Sequence, residues 1–169
     1  MSRDLDGTTQ SLQRTAGVPV SGPPFTVAGW FYPDDFTAGY IWYELFVMRD
    51  AGSSVFECGC DQSDSNRVGL YAGSNASLTT TPLIAATWNH LCIIIASATE
   101  RHVIVNGDWA TKGGGTGLTS YTFTPTRFAF GTDLVGGSFL DGKLAEFALW
   151  NRVLTRNETI VLAQRRRAP

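Results

Sequence analysis

Short apolar runs alternate with turn residues along most of the chain. About ten to thirteen such runs are separated by Gly, Pro, Asn and Asp residues, the spacing that short strands joined by tight turns produce. Residues 91–98 are continuously apolar and rich in β-branched side chains, which is typical of a central strand buried on both faces. The pattern therefore predicts an all-β protein built as two packed antiparallel sheets.

Residues 25–32 form a second predicted strand that is apolar on both faces. Val27 and Phe31 lie on one face, and Trp30 and Tyr32 lie on the other. Such a strand is either covered on both sides or offers the aromatic side chains of its outer face to a ligand. Coverage on both sides is the commoner arrangement.

The strand predicted over residues 40–48 is unusually rich in aromatic side chains. Strict alternation places Tyr40, Trp42 and Phe46 on one face and Tyr43 on the other. Trp and Tyr rings commonly fill cores and interfaces, and their flat apolar faces also stack on sugar rings. We therefore take Tyr40, Trp42 and Tyr43 as candidate binding residues, either for a protein partner or for a glycan.

The C-terminal part of the chain changes from a strand to a helix. The apolar parity changes between Leu144 and Phe147, which predicts a β-bulge or burial on both faces. Thr155 and Glu158 have the spacing of a capping box, which predicts that a short helix begins here. Residues 165–167 are arginines, and we expect them in the last helical turn, where cations offset the helix dipole.

Four stretches of the sequence resemble a known family. Residues 139–158 place an aromatic residue, Asp-Gly, an apolar strand, Trp-Asn-Arg, Leu and Thr-x-x-Glu in an order similar to the closing signature of laminin-G-like, concanavalin A-like jelly rolls. Residues 24–33, 87–95 and 103–110 resemble earlier strands of the same family. The resemblance implies an all-β, two-sheet antiparallel jelly-roll β-sandwich with one short C-terminal helix.

The resemblance also bears on the domain organisation. A chain of 169 residues has the size of one domain, so we expect a single laminin-G-like domain over residues 1–169, with its core over about residues 24–164. Residues 4–14 resemble the opening strand of the family. We therefore expect a first strand near residues 5–13 to lie beside the strand of residues 140–150.

Charge and hydropathy argue against several classes of binding partner. The formal net charge is −2, so the chain offers no broad electrostatic attraction for nucleic acid. No apolar run approaches the roughly 20 residues that a membrane-spanning helix needs. The first residues are polar and charged, and no secretion signal is visible in them.

The three cysteines do not specify a closed disulfide framework. Cys58 and Cys60 lie on the same face of one predicted strand, where a bond between them has poor geometry, while a bond from either to Cys92 stays open. A zinc site would need His90 and His102 to complete its ligand set. We therefore interpret all five side chains as structural.

Asp61, Asp64 and Asn66 are the candidate calcium ligands, because they bring three side-chain groups with oxygen atoms into one loop. Calcium takes roughly 6 to 8 oxygen ligands, so distant loops would have to supply the rest. Short polar side chains in such a loop more often hydrogen-bond to their own backbone. We therefore expect no cofactor, with calcium as the alternative.

The arrangement of carboxylates argues against catalysis. Glucanases of the family that this chain resembles use paired carboxylates on one strand. Here Glu44, Glu57 and Glu146 are each the only carboxylate on their predicted strand apart from turn positions. We therefore expect that the protein is not an enzyme.

Three functions remain. By analogy with family members on virion surfaces, the first is a decoration, fibre or tail-type protein of a phage-like virion that docks on neighbouring protein subunits, homo-oligomers included. The second is a carbohydrate-binding lectin module, and the third and least favoured is a glycoside hydrolase. The first two predict a location on a virion or at an extracellular surface.

Overall fold

The computed structural model describes residues 2–36, 42–50, 55–61, 63, 65–73, 75–135 and 137–164. Within these residues the chain forms twelve strands and one helix. In chain order they are β1 (Ser2–Asp6), β2 (Leu12–Arg14), β3 (Phe25–Pro33), β4 (Trp42–Arg49), β5 (Val55–Asp61), β6 (Arg67–Ala72), β7 (Asn75–Pro82), β8 (Asn89–Ser97), β9 (Glu100–Val105), β10 (Gly113–Gly115), β11 (Arg127–Phe130), β12 (Asp141–Trp150) and α1 (Arg156–Gln164).

The strands form two six-stranded antiparallel sheets. Sheet A has the order β1-β12-β3-β8-β9-β10, and sheet B has the order β2-β11-β4-β5-β6-β7. Strands that are distant in sequence, such as β3 and β12, lie side by side, as a jelly roll requires. The predicted two-sheet jelly roll with one short C-terminal helix is therefore confirmed. None of the described helical segments has the length and apolar character needed to cross a bilayer.

The main core lies between the inner faces of the two sheets. Sheet A contributes Phe31 of β3 and Ile93 of β8, and sheet B contributes Phe46 of β4 and Phe56 of β5. Each of these four side chains is at most 2% exposed. Ile94 faces the other side of β8 and is also buried, so the predicted strand is confirmed as β8, and its residues 91–95 are covered on both faces.

The N-terminal segment supplies one strand to each sheet. The expectation of a first strand beside the C-terminal strand is correct for β1, whose Leu5 pairs with Gly142 of β12. It is wrong for the later residues, because β2 crosses to sheet B and pairs with β11. Asp6 causes the break, since its carboxylate accepts backbone hydrogen bonds from Thr8, Thr9 and Gln10 and closes a turn.

A β-bulge interrupts β12 where the sequence predicts either a bulge or burial on both faces. The pairing with β3 shifts register between Ala145 and Ala148, and Glu146 has a φ of +54°. One extra residue in a strand changes which face the following side chains take. Leu144 and Phe147 therefore both pack against the main core.

The helix α1 begins with the predicted capping box. The backbone N–H of Thr155 donates to Glu158 Oε2 at 2.8 Å, and the backbone N–H of Glu158 donates to Thr155 Oγ1 at 3.3 Å. The helix packs on the outer face of sheet A, where Leu162 contacts the buried cluster that contains Ile94. The arginines of residues 165–167 lie outside the described residues.

All three cysteines are buried and free. Cys58 and Cys60 face the main core, whereas Cys92 faces the cluster beneath α1. Sheet A therefore stands between Cys92 and the other two thiols, so the disulfide that the sequence left open is not formed. Burial raises the pKa of Cys60 and of Cys92 to about 12, which keeps these thiols protonated and unreactive.

The position of Leu5 predicts that β1 stabilises the fold. Leu5 is 4% exposed and lies in the main core, whereas Leu12 of β2 is only partly buried at the edge of sheet B. We expect Leu5→Ala to lower the free energy of unfolding by about 2 kcal/mol or more, because it leaves a cavity. Leu12→Ala should cost clearly less. Urea unfolding measures both, and equal losses would contradict this account of the N-terminal segment.

Because Gly29 of β3 has no side chain, it leaves space for the ring of Phe147, which follows the bulge in β12. A methyl group at this position would overlap the ring of Phe147, which packs 5.0 Å from the ring of Phe31. We expect Gly29→Ala to cost about 1–3 kcal/mol through overpacking. Gly115→Ala is the matched control, because no atom of the described residues beyond its two chain neighbours lies within 4 Å of the added methyl group there. If thermal unfolding shows similar melting temperatures for the two variants, Phe147 does not occupy this space.

Candidate functional site

Alternation along β5 directs Glu57 and Gly59 away from the core. Their neighbours Cys58 and Cys60 are fully buried between the sheets, and successive side chains of a strand point to opposite faces. Gly59 pairs with Glu44 of β4, so Glu44 also belongs to the outer face of sheet B. The register thus places two glutamates diagonally across neighbouring strands.

Two aromatic residues complete this group. Tyr71 of β6 pairs directly with Glu57, and Trp42 precedes Glu44 by two residues on β4. The outer face of sheet B therefore brings two carboxyl groups and two aromatic rings together around one glycine. We refer to Trp42, Glu44, Glu57, Gly59 and Tyr71 as the Gly59 cluster.

The indole of Trp42 lies across the backbone of Gly59. A methyl group at Gly59 would overlap the indole, so only glycine permits this position. Nε1 of Trp42 donates a hydrogen bond to Glu44 Oε1 at 2.7 Å. The indole also meets the ring of Tyr71 at 4.8 Å between centroids and an angle of 89°. These contacts hold the half-buried indole in one orientation.

Glu44 is a carboxyl group buried at the base of the cluster. It is 2% exposed, and its Oε2 atom has no hydrogen-bond partner among the described residues. Burial raises the pKa of Glu44 well above its usual range, and the charge of Glu57 raises it further, while the hydrogen bond from Trp42 and the charge of Arg49 act in the opposite direction. The protonated form of Glu44 is therefore favoured.

Glu57 is more accessible than Glu44, because its side chain is only half-buried. Burial raises the pKa of this carboxyl, Arg49 lowers it and Asp133 raises it. Nε of Arg49 donates to the backbone carbonyl of Asp133 at 2.9 Å, which ties the loop before β12 to the edge of the cluster. The cluster thus combines a buried acid with a second acid that a ligand can reach.

The structure separates the three candidate binding residues. Trp42 lies on the outer face of sheet B, and Tyr40 lies outside the described residues. Tyr43 is 1% exposed, and its ring packs against Phe36 in the core at 6.0 Å between centroids. The assignment of Tyr43 as a binding residue is therefore corrected, because a buried ring offers no surface to a partner.

The candidate calcium loop is organised in part by its own hydrogen bonds. Asp61 Oδ1 accepts a hydrogen bond from Ser63 Oγ at 2.6 Å, and Asn66 adopts a φ of +60°, which is typical of a turn. Asp64 lies outside the described residues. Across the part of the chain that the structure describes, no three His, Cys, Asp or Glu residues form a metal-binding group. Calcium binding by this loop stays a prediction.

The two histidines lie on sheet A and do not contribute to the cluster. His90 is buried against the edge of Trp30, with 5.1 Å between ring centroids, and burial lowers the pKa of His90 to about 4. His102 lies between Glu100 Oε1 at 3.2 Å and Lys112 Nζ at 3.1 Å. Neither contacts a hydroxyl or thiol nucleophile among the hydrogen bonds of the described residues.

Comparison with known families identifies the fold. A laminin G family model, described as the concanavalin A-like lectin/glucanases superfamily, matches residues 6–159. The chain belongs to this superfamily. The resemblance seen in the sequence is thereby confirmed. Comparison with curated protein sequences gives no match.

Solved structures in this fold include both enzymes and binding proteins. A native heptameric SAP-like pentraxin from Limulus polyphemus has 15% sequence identity and a TM-score of 0.67, over 96% of this chain and 81% of that chain. Domain 4 of AbnA, a GH43 extracellular arabinanase from Geobacillus stearothermophilus in complex with arabinotriose, has 19% identity and a TM-score of 0.71, over 96% of this chain and 76% of that chain.

A sialidase from Trypanosoma rangeli shares the fold over a smaller part of its length. It has 18% identity and a TM-score of 0.64, over 83% of this chain but only 22% of the sialidase chain. At such identities the likeness shows the fold alone. Membership of the concanavalin A-like superfamily therefore does not decide between catalysis and binding. The arrangement of side chains at the site has to decide between them.

Alternation within single strands does not reveal that Glu44 and Glu57 lie diagonally across β4 and β5, or that Tyr71 contributes to the cluster. A search for carboxylates along one strand misses a pair that forms across two strands. The available signal was the presence of Trp-x-Glu and Glu-x-Gly on consecutive predicted strands. That signal becomes informative only with the register of β4 and β5, which a bulge between Glu44 and Phe46 sets.

The buried acid predicts a pH dependence of stability. Above the pKa of an unfolded glutamate and below the raised pKa of Glu44, the unfolded chain releases a proton that the native protein keeps. The contribution of Glu44 to stability is therefore complete at low pH and falls by about 1.4 kcal/mol per pH unit in this window. Glu44→Gln keeps an acceptor for Trp42 Nε1 and removes the titration.

Urea unfolding of both proteins from about pH 5 to about pH 9 measures this effect. We expect the stability of Glu44→Gln relative to the wild type to increase as pH rises, because other titrating groups contribute almost equally to both proteins. A difference that does not change with pH would show that Glu44 is ionised in the native state.

Proposed function

We propose that the protein is a non-catalytic glycan-binding module and that the Gly59 cluster contacts the sugar. The observation that carries this proposal is the fixed orientation of the Trp42 indole on Gly59, next to Tyr71 and the half-buried Glu57. Indole and phenol rings present flat apolar surfaces that stack on sugar rings. A carboxylate beside them accepts hydrogen bonds from sugar hydroxyl groups.

A preformed arrangement of this kind favours binding. The backbone of Gly59, the hydrogen bond to Glu44 and the ring of Tyr71 limit the motion of the Trp42 side chain before a ligand arrives. Less conformational entropy is then lost when the ligand binds. The arabinotriose complex of the AbnA domain supports a saccharide ligand at the level of the fold.

The depth of Glu44 supports binding without catalysis. Glycosidases need two carboxyl groups that flank the scissile bond, one of them acting as the acid. Glu44 is 2% exposed, and one of its oxygens is engaged by Trp42 Nε1. A substrate bond does not reach this carboxyl without displacing the indole, so Glu44 serves to position Trp42.

A second candidate function is docking on neighbouring protein subunits. Ile84 and Val135 are 57% and 68% exposed, and a pentraxin with this fold is heptameric. The role of a phage-like virion protein that the sequence suggested belongs to this candidate. It predicts self-association or docking on subunits without glycan binding.

Substitution of Trp42 tests the glycan-binding proposal. We expect Trp42→Ala to weaken the binding of glycans detected on an array with the wild type by about 2 kcal/mol or more, which is about thirtyfold, as measured by calorimetry. Trp88→Ala is the matched control, because Trp88 is also half-buried but packs against Tyr32 of sheet A, 5.5 Å between centroids. We expect the control to bind as the wild type does.

Melting temperatures show whether each variant is folded, and Tyr71→Ala replaces Trp42→Ala if the latter unfolds. Binding that is unchanged in both cluster variants, or lost equally in the Trp88 variant, would contradict the proposed site. A wild type that binds no glycan on the array would contradict the function. Release of cleaved sugar that is abolished by Glu44→Gln would overturn the non-catalytic assignment.

A further inference from the structure

In the Gly59 cluster, the pKa of Glu44 is influenced by more acidic than basic groups. The charges of Glu57 and Asp133 both raise the pKa of Glu44, while Arg49 is the cation that lowers the pKa of Glu44 and of Glu57. Arg49 also donates through Nε to the backbone carbonyl of Asp133 at 2.9 Å. Glu57 and Asp133 thus oppose the effect of Arg49 on the pKa of Glu44, and Asp133 opposes it on the pKa of Glu57.

One buried carboxyl oxygen of the cluster lacks a hydrogen-bond partner among the described residues. Glu44 Oε1 accepts the hydrogen bond from Trp42 Nε1, but Oε2 has no partner among the described residues although the side chain is 2% exposed. A buried polar atom without a hydrogen-bond partner destabilises the fold. A nearby positive charge would offset the charge of Glu57, which is one of the causes that raise the pKa of Glu44.

The two aromatic rings of the cluster add surfaces that attract cations. Trp42 and Tyr71 meet at 89° with 4.8 Å between centroids, and Tyr71 pairs with Glu57 on the neighbouring strand. Faces of Trp and Tyr attract cations through their quadrupoles, and aromatic walls are the usual means of recognising ammonium groups. Here the aromatic rings and an accessible carboxylate occur at the same place.

We propose that the Gly59 cluster binds a ligand with a positively charged amino group, with Trp42 and Tyr71 contacting the ammonium and Glu57 supplying the opposite charge. This inference rests on the proposed glycan-binding function, and within it the ligand is an amino sugar with a free amine, such as a glucosamine oligomer. Glycans with carboxylate groups are disfavoured, because Glu57 and Asp133 repel them.

The arrangement also predicts that binding depends on pH. An ammonium stabilises the ionised form of Glu57, so at pH values at which the ligand amine is fully protonated, binding weakens as pH falls and Glu57 becomes protonated. Besides burial, which raises the pKa of Glu57, Arg49 on β4 lowers this pKa and Asp133 on the loop before β12 raises it. The charge of Glu57 in turn raises the pKa of Glu44 on β4. Tyr71 is its direct neighbour on β6.

A matched pair of sugars tests the inference. Glucosamine tetramer and N-acetylglucosamine tetramer have the same backbone and differ in the charge of the amino group. We expect calorimetry of the wild type, at a pH at which the glucosamine amines are protonated, to show about tenfold tighter binding of the glucosamine tetramer, the size of one desolvated cation–π contact with a nearby carboxylate. The preference should shrink as salt rises, because salt screens the carboxylate.

Glu57→Gln separates charge from shape. We expect this variant to bind both tetramers with similar affinity, because the aromatic rings remain while the carboxylate is lost. Asp4→Asn is the control, since Asp4 is an exposed acid on β1 of sheet A, and it should keep the preference. Melting temperatures confirm that each variant is folded, and the salt dependence of the wild type serves as a second measurement if Glu57→Gln unfolds.

The outcomes separate this inference from the proposed function. Equal binding of the two tetramers by the wild type, or a preference that persists in Glu57→Gln and at high salt, would overturn the amine proposal and leave glycan binding intact. Preference for neutral or acidic glycans on the array would do the same. Absence of binding to every glycan, with or without an amine, would contradict the proposed function itself.

Discussion

The packing of the two sheets against each other is the interaction on which the rest of the structure depends. β3 and β8 of sheet A and β4 of sheet B fill the space between the sheets with apolar side chains. Burial of apolar surface is the dominant favourable contribution to folding, so each strand has to turn its apolar face inward. This requirement also determines which side chains, such as Glu57 and Tyr71, remain on the outer face of sheet B.

Two β-bulges, one in β12 and one in β4, change which face of the sheet the following side chains take. In β12, the shift at Glu146 allows Phe147 to pack against the core. In β4, the shift between Glu44 and Phe46 turns Phe46 into the core, while Glu44 stays beside Gly59 on the outer face. A bulge re-aims side chains without ending the strand. The Gly59 cluster therefore depends on an irregularity that the core imposes on β4.

The chemistry of the cluster follows from the depth at which each group lies. Gly59 leaves room for an indole against the sheet, and the indole covers a carboxyl group that would otherwise be hydrated. Glu44 is thereby removed from solvent and Glu57 is not, so two glutamates of one face have different environments. The concanavalin A-like fold is common to enzymes and binding proteins, and such local differences decide which chemistry a member can perform.

The sequence by itself determined the fold class, the strand buried on both faces, the change of apolar parity before Phe147 and the capping box of Thr155 and Glu158, because these depend on local periodicity and on short spacings. Only the tertiary structure decided that β2 joins sheet B, that Tyr43 lies in the core and that Glu44 lies diagonally across from Glu57. Each of these depends on register between strands, and a shift of one residue exchanges the two faces. Alternation within a single strand does not specify that register.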